Sequence, residues 1–186
     1  ARFSAPDFPP PLYGAWAQLR GVQARFRGDF VNTIEYSQEA LEYLPLDWWG
    51  PRAHALINLA LAQGFTGDAH AARANLREAV TVGALGHSIT SLSALIGLGW
   101  LQTRLGELTQ AAQTYQQVID QGAQFPGRAT PLLGMAYVGL AEILYERNDL
   151  AAAHHAATQG IEQLRASTEQ TMLALGYGLV VQMLLV

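Results

Sequence analysis

Residues 139–164 read GLAEILYERNDLAAAHHAATQGIEQL: an apolar helical pattern, a short polar turn and a second, alanine-rich helical pattern. The turn contains Asn148 followed by Asp149. Asparagine, like glycine, takes the left-handed conformation that ends many helices, and an aspartate directly after it caps the next helix. The stretch therefore predicts two helices joined by a tight turn.

The same arrangement occurs three more times upstream, in RGDFVNTIEYSQEALEYLP, TGDAHAARANLREAV and LGELTQAAQTYQQVI. The turn residues recur at a nearly constant spacing and are Gly28, Gly67, Gly106 and Asn148. Asp29 and Asp68 stand in the same capping position as Asp149. A period of about 40 residues indicates helix pairs stacked into a solenoid.

Small side chains stand at two fixed distances from each turn. Five residues after the turn residue, the chain has Thr33, Ala72, Ala111 and Ala153. Seven residues before it, the chain has Gly21, Ala60, Gly99 and Ala141. Because small residues let helix axes approach closely, we expect the two helices of each pair to touch at these positions.

These signals predict the extent of each helix. First helices are expected at residues 12–27, 51–66, 88–105 and 131–147, and second helices at 29–44, 68–82, 109–122 and 149–166. Residues 1–11 are expected to form an extended, proline-rich lead-in, and residues 12–186 one repeat domain of a larger protein. The predicted fold is all-α: a right-handed α-solenoid of four helix pairs plus one extra C-terminal helix.

Composition narrows the classes of function. Half of the 186 residues are hydrophobic and 14% are charged, as in a globular protein. The formal net charge of −4 argues against a nucleic-acid face. The chain has no cysteine, which excludes disulfides and cysteine-bound zinc and fits a cytoplasmic protein. The apolar run at the C-terminus is shorter than a membrane helix needs, so we expect no membrane partner.

We expect no metal site at the two adjacent histidines, His154 and His155, and place them at the edge of a solvated face. Neighbours on a helix point about 100° apart, so they cannot share a metal as histidines four residues apart could. No Ser-His-Asp order, HExxH or GxxxxGK[ST] motif occurs in the chain. The sequence therefore predicts no catalytic residues, no cofactor and no enzymatic activity.

The repeats resemble the tetratricopeptide repeat, most closely in GDFVNTIEYSQEALEYLP, although the usual period of that repeat is shorter. A narrower resemblance is carried by AWAQLRGVQARFRGDF, GLGWLQTRLGELTQAAQTYQQVI and GMAYVGLAEILYERNDLAAA. These look like the repeat region of MalT-like, LuxR-type, ATP-dependent transcriptional regulators. That family implies a nucleotide-binding domain before the repeats and a helix-turn-helix after them, and this chain would be the sensor portion alone.

The first helices of such repeats are expected to line a concave binding surface. Counting back 13, 10, 6 and 3 positions from each turn defines one helical face, mostly apolar with separated polar groups, as in a ligand pocket. The position ten before the turn is filled by Gln18, Ile57, Ile96 and Val138. The predicted ligand-contacting residues on or beside this face are His54, Asn58, Trp100, Arg104, Glu142 and Tyr145.

Two functions remain open from the sequence. One is the sensor domain of a signal-responsive transcriptional regulator, which binds a small-molecule effector or a regulatory protein. The other is a stand-alone helical-repeat adaptor that binds a peptide or protein. Chaperone-binding repeats of the second kind clamp a peptide carboxylate with lysine and asparagine, and this chain has no lysine.

The C-terminal segment from Met172 to Val186 is apolar almost all round. The next turn is expected one repeat after Asn148, beyond the last residue of the sequence. The segment is therefore expected to be the first helix of a fifth repeat. An exposed apolar face of this kind usually finds a partner, so we expect self-association through it.

Overall fold

The computed structural model describes residues 9–86, 89–125, 127, 130–165 and 170–185, without the side chains of 170–172. Within these residues the chain forms nine α-helices and no strand. They are α1 (Pro10–Phe26), α2 (Phe30–Tyr43), α3 (Trp49–Thr66), α4 (Ala69–Leu85), α5 (Thr90–Arg104), α6 (Leu108–Gly122), α7 (Thr130–Glu146), α8 (Leu150–Leu164) and α9 (Gln170–Leu184). The predicted all-α fold of four helix pairs and one further helix is confirmed.

The observed helix ends differ from the expected ones by a few residues. Helix α1 begins at Pro10, so two residues of the expected lead-in are helical, and residues 1–8 lie outside the described part of the chain. Proline is favoured in a first helical turn because the amide that it lacks has no partner there. Helix α4 continues to Leu85, three residues beyond the expected end. The expected start at 88 and end at 166 lie outside the described residues.

The four turns have the predicted backbone geometry. Their φ angles are positive: 72° at Gly28, 96° at Gly67, 75° at Gly106 and 59° at Asn148. Asparagine is one of the few residues with a side chain that tolerates this left-handed conformation, which explains why it replaces glycine in the fourth repeat.

Three of the second helices carry the predicted aspartate cap. The side chains of Asp29, Asp68 and Asp149 accept backbone hydrogen bonds three residues on, at 3.2, 3.0 and 3.2 Å. The third repeat has Glu107 at this position, and its longer side chain makes no capping bond. The caps satisfy amide donors that a helix start otherwise leaves open.

The small residues that flank the turns lie in the contact between paired helices, as expected. Thr33, Ala72, Ala111 and Ala153 are fully buried. Ala60 and Ala141 are also fully buried, and Gly21 and Gly99 are buried.

In the second and third repeats, the residue nine positions after the turn fills the space beside a glycine of the next first helix. This position holds Ser37, Leu76 and Tyr115 in the first three repeats, and all three side chains are buried. A Cβ built on Gly97 would lie 2.7 Å from Leu76 Cδ2, and one built on Gly139 would lie 2.4 Å from Tyr115 Cζ. Glycine on the neighbouring first helix is therefore matched to a large side chain on the second helix.

The described chain divides into two compact units, residues 1–97 and 98–186, and the boundary falls inside α5. In the first unit, one core cluster joins Ala17, Ala40, Leu44 and Ala55, and a second joins Leu56, Ile57, Ala79 and Ala94. In the second unit, the core cluster consists of Val138, Ala141, Ala156, Ala157, Leu164 and Leu179.

Helix α9 packs on both α7 and α8 through one side only. Leu179 is 5% exposed, whereas Leu175, Val181 and Leu184 are 39%, 54% and 74% exposed. The inner side of an apolar helix is thus buried in the second unit and its outer side faces solvent. Val186 and the side chain of Met172, which end the predicted segment, lie outside the description.

Candidate functional site

The structure places the six predicted contact residues in different units. His54 and Asn58 lie on α3 in the first unit, and Trp100, Arg104, Glu142 and Tyr145 lie on α5 and α7 in the second.

His54 stands near the start of α3 with an exposed side chain. Its ring Nε2 lies 3.4 Å from the hydroxyl of Thr90, which is buried. Partial loss of solvent around the ring lowers the pKa of His54 below its ordinary value. The neutral imidazole is therefore the favoured form at neutral pH.

Asn58 is a buried polar residue, 4% exposed, with a defined partner. Its Oδ1 accepts a hydrogen bond from Arg25 Nε at 2.8 Å, which links α3 to α1. The Arg25 guanidinium also lies 4.6 Å from the centroid of the Phe26 ring. Asn58 thus holds two helices of the first unit together, and its carbonyl oxygen is already occupied.

Trp100 and Arg104 lie one turn apart on α5 and contact each other. The guanidinium carbon of Arg104 is 5.9 Å from the centroid of the Trp100 ring, within cation–π range. Trp100 is partly buried and Arg104 is exposed. The pair presents an aromatic surface and a positive charge with several hydrogen-bond donors.

Glu142 on α7 is a half-buried carboxylate. Burial raises its pKa, the nearby charge of Glu146 raises it further, and the positive charge of Arg104 opposes both. Burying a carboxylate costs stability unless it is paired. Among the described residues no cation lies within ion-pair distance of Glu142, so its charge is only partly compensated.

Tyr145, one turn after Glu142, is partly buried and packs against the core cluster of the second unit. Only part of its ring is open to a ligand.

Tyr115 belongs to this neighbourhood and was not predicted from the sequence. It comes from the second helix α6, and its ring passes between Gly99 on α5 and Gly139 on α7. Burial raises its pKa well above the ordinary value, a hydrogen bond with the Thr103 side chain opposes this shift, and the charge of Glu142 adds to it. The sequence offered one sign of this contact, the two glycines about one repeat apart. A glycine indicates that something packs closely against the helix, but it does not indicate which side chain does so.

The face defined by counting back from the turns was wrong at one position. Ile57 and Ile96 are 9% and 8% exposed, and Val138 is fully buried. A Cβ built on Gly160 of α8 would lie 2.7 Å from Val138 Cγ2. In the last three repeats the position ten before the turn therefore belongs to the packing between helices and not to an open face, whereas Gln18 of the first repeat is partly exposed.

His154 and His155 are exposed on α8. In the described part of the chain, no three His, Cys, Asp or Glu side chains are grouped as metal ligands would be. None of the helices in that part is both long enough and apolar enough to cross a membrane.

Comparisons with known proteins agree with this architecture. The solved structures that match closely enough to establish the fold include two that illustrate it. The crystal structure of BtubC (BKLC) from P. vanneervenii gives a TM-score of 0.68 at 15% identity, over 88% of this chain and 68% of that chain. A tetratricopeptide repeat protein from Parabacteroides merdae ATCC 43184 gives 0.60 at 18% identity, over 92% of this chain and 60% of that chain. No curated protein sequence matches.

A family model described as the MalT-like TPR region matches residues 14–186. This match confirms the resemblance predicted from the repeat motifs. Helical repeats of this type generally bind partners rather than catalyse reactions. The chain therefore belongs to the family of MalT-like tetratricopeptide repeat regions and is a helical-repeat interaction domain.

Proposed function

We propose that this domain is the sensor of a signal-responsive transcriptional regulator in the cytoplasm. It binds a small-molecule effector or a regulatory protein and has no catalytic activity of its own. Binding shifts the activity of a regulator that carries ATPase and helix-turn-helix domains, because a ligand that prefers one state changes the balance between the two.

The observation that carries this proposal is the environment of Glu142. A half-buried carboxylate with a raised pKa lowers the stability of the free domain. Ionisable groups whose pKa is shifted in a way that destabilises the free domain are candidates for ligand contacts. Trp100 and Arg104 of the same unit add a ring face and a positive charge. These are the chemical groups that recognise a ligand with both apolar and polar surfaces.

On this proposal, Trp100, Arg104, Glu142 and Tyr145 supply the contacts in the second unit. In the first unit, His54 supplies a contact. Asn58 acts indirectly, because its side chain accepts a hydrogen bond from Arg25 and so positions that residue.

A thermal-shift screen of sugars, nucleotides and peptides identifies the effector, because a ligand that binds only the folded state raises the melting temperature. The variants Trp100→Ala, Arg104→Ala and Glu142→Gln should each lose most of that shift. His154→Ala on exposed α8 is the matched control and should retain it. If His154→Ala removes the shift while the three variants keep it, the proposed contact residues are wrong.

The stand-alone adaptor is the second candidate, favoured by the general role of helical repeats in protein interaction. The sequence of the full gene separates the two. A nucleotide-binding motif upstream and a helix-turn-helix downstream support the sensor, and a gene with repeats alone supports the adaptor.

We further propose that two copies of the domain associate through Met172 to Val186. Helix α9 carries no charged residue, so its outer face can be buried without removing a charge from water. Val181→Glu should give a monomer by light scattering after size-exclusion chromatography. Leu19→Glu, at a residue 65% exposed on α1, is the control and should not change the mass. A wild-type monomer at high concentration contradicts the proposal.

A further inference from the structure

A small surface cavity of about 70 Å³ lies between α1 and α2, near the turn that joins them. It lies in the first unit, and none of its residues belongs to the proposed effector site. Its polar lining comes from two faces: Arg20, Gln23 and Arg27 on the α1 side, and Asp29, Asn32 and Tyr36 on the α2 side. The α1 residues share a face because they are three and four positions apart.

Arg20 is held in place by aromatic rings. Its guanidinium carbon lies 5.8 Å from the centroid of the Trp16 ring and 5.4 Å from that of Tyr36. The Trp16 and Tyr36 rings are themselves 6.0 Å apart and nearly perpendicular. A guanidinium that is already oriented loses less conformational freedom when it binds an anion.

The guanidinium groups of Arg20 and Arg27 keep hydrogen-bond donors that a ligand can use. Arg20 and Arg27 are exposed, and no described residue accepts a hydrogen bond from either guanidinium. Elsewhere in the first unit, by contrast, Arg25 donates to Asn58, and Arg52 donates to the carbonyls of Leu41 and Leu44. The cavity thus combines two planar guanidinium groups whose hydrogen-bond donors bond to no described acceptor.

The separation of the two arginines favours a pair of carboxylates over one free phosphate. A phosphate at a helix start is usually bound by the backbone amides there. At α2, however, Asp29 already accepts from the Asn32 amide at 3.2 Å and from Asn32 Nδ2 at 2.6 Å. Any anion at the start of α2, carboxylate or phosphate, would therefore meet an occupied amide and a negative charge. The groups left to bind an anion are Arg20 and Arg27, which lie about 10 Å apart along the helix axis and suit two separate carboxylates better than one phosphate.

We propose that this cavity, the Arg20–Arg27 groove, docks an acidic segment of a partner protein. Each guanidinium donates two parallel hydrogen bonds to one carboxylate of the segment. In a polyproline II segment, two acidic residues three positions apart lie on one face about 9 Å apart, which matches the spacing of the arginines. Because the groove shares no residue with the proposed effector site, the domain could bind a partner and an effector at once.

The test uses the full chain and fluorescein-labelled hexaglutamate, read by fluorescence anisotropy at low salt. Hexaglutamine is the uncharged control peptide. The variants are Arg20→Gln and Arg27→Gln, with Arg77→Gln as the matched control. Arg77 is an exposed arginine of the same unit, on α4 and outside the groove. Far-UV circular dichroism establishes that each variant is folded.

We expect hexaglutamate to bind and hexaglutamine not to bind. Arg20→Gln and Arg27→Gln should each weaken binding about fivefold, as loss of one exposed charge pair predicts, and Arg77→Gln should leave it unchanged. Arg20→Lys should also weaken binding, because an ammonium lacks the planar pair of donors.

Three results overturn the proposal: no binding of hexaglutamate, equal weakening by Arg77→Gln, or complete competition by inorganic phosphate at matched ionic strength. None of them bears on the effector site, whose variants Trp100→Ala and Glu142→Gln should bind hexaglutamate like the wild type.

Discussion

A methyl group added at Gly139 has no room in the folded domain. A Cβ there would lie 2.4 Å from Cζ, 2.6 Å from Cε2 and 2.8 Å from the hydroxyl of Tyr115. The ring cannot easily retreat, because a Cβ built on Gly99 on its other side would lie only 2.7 Å from Cε1. The Gly139→Ala substitution must therefore displace either the ring or helix α7.

The expected cost follows from two opposing effects. Overfilling a packed core costs about 1–3 kcal/mol, and the contact of less than 3 Å with a rigid ring places this site near the upper end. Alanine offsets about 1 kcal/mol of that cost, because it is the better helix former. We therefore expect Gly139→Ala to lower the free energy of unfolding by about 1–2 kcal/mol.

The assay is urea unfolding followed by far-UV circular dichroism, with Gly178→Ala as the matched control. Gly178 lies inside α9 with no atom within 4 Å of a built Cβ, so its substitution should stabilise the domain by about 0.5–1 kcal/mol. In a Tyr115→Leu background, from which the ring has been removed, Gly139→Ala should become neutral or stabilising. If the cost of Gly139→Ala is the same with and without the ring, the proposed steric cause is refuted.

Three further predictions concern titration and capping. Burial, the hydrogen bond to Glu39 and nearby charges raise the pKa of Tyr13 to about 12. Because the tyrosine of the unfolded chain ionises first, the free energy of unfolding should fall as the pH rises from about 10 to 12. The Tyr13→Phe variant should show a flatter plot of melting temperature against pH over this range. Since the folded state raises the pKa of Glu142, the carboxylate destabilises the domain once the pH exceeds its ordinary carboxyl pKa. Glu142→Gln should therefore raise the melting temperature at pH 7 and leave it nearly unchanged at pH 3, and a lower melting temperature at pH 7 would contradict this. Asp68→Ala should cost about 1 kcal/mol in urea unfolding and Asp68→Asn much less, because asparagine also caps a helix; equal costs would argue against capping.

Local signals in the sequence were enough to determine the architecture. The turn at Asn148 and the cap at Asp149 depend on the backbone preferences of single residues, and both occur as predicted. The spacing of the turns gave the pairing of helices, and the small residues gave their contact positions. These features could be predicted because each depends on residues within about one helical turn, or on a pattern that recurs four times.

The surroundings of the candidate site residues, in contrast, were decided by tertiary structure. The sequence does not show that Asn58 accepts a hydrogen bond from Arg25, 33 residues away. It also does not show that Val138, ten residues before its turn, is buried. Nor does the sequence show that the ring packed against Gly139 is that of Tyr115. It does not show either that Tyr115 lies close enough to Glu142 for the carboxylate charge to raise the pKa of Tyr115. Each of these contacts joins helices from different parts of the chain, and it depends on side-chain volume and helix approach to within about an ångström. A periodic pattern specifies which face of a helix packs, but not how deeply each side chain is buried or which group meets it there.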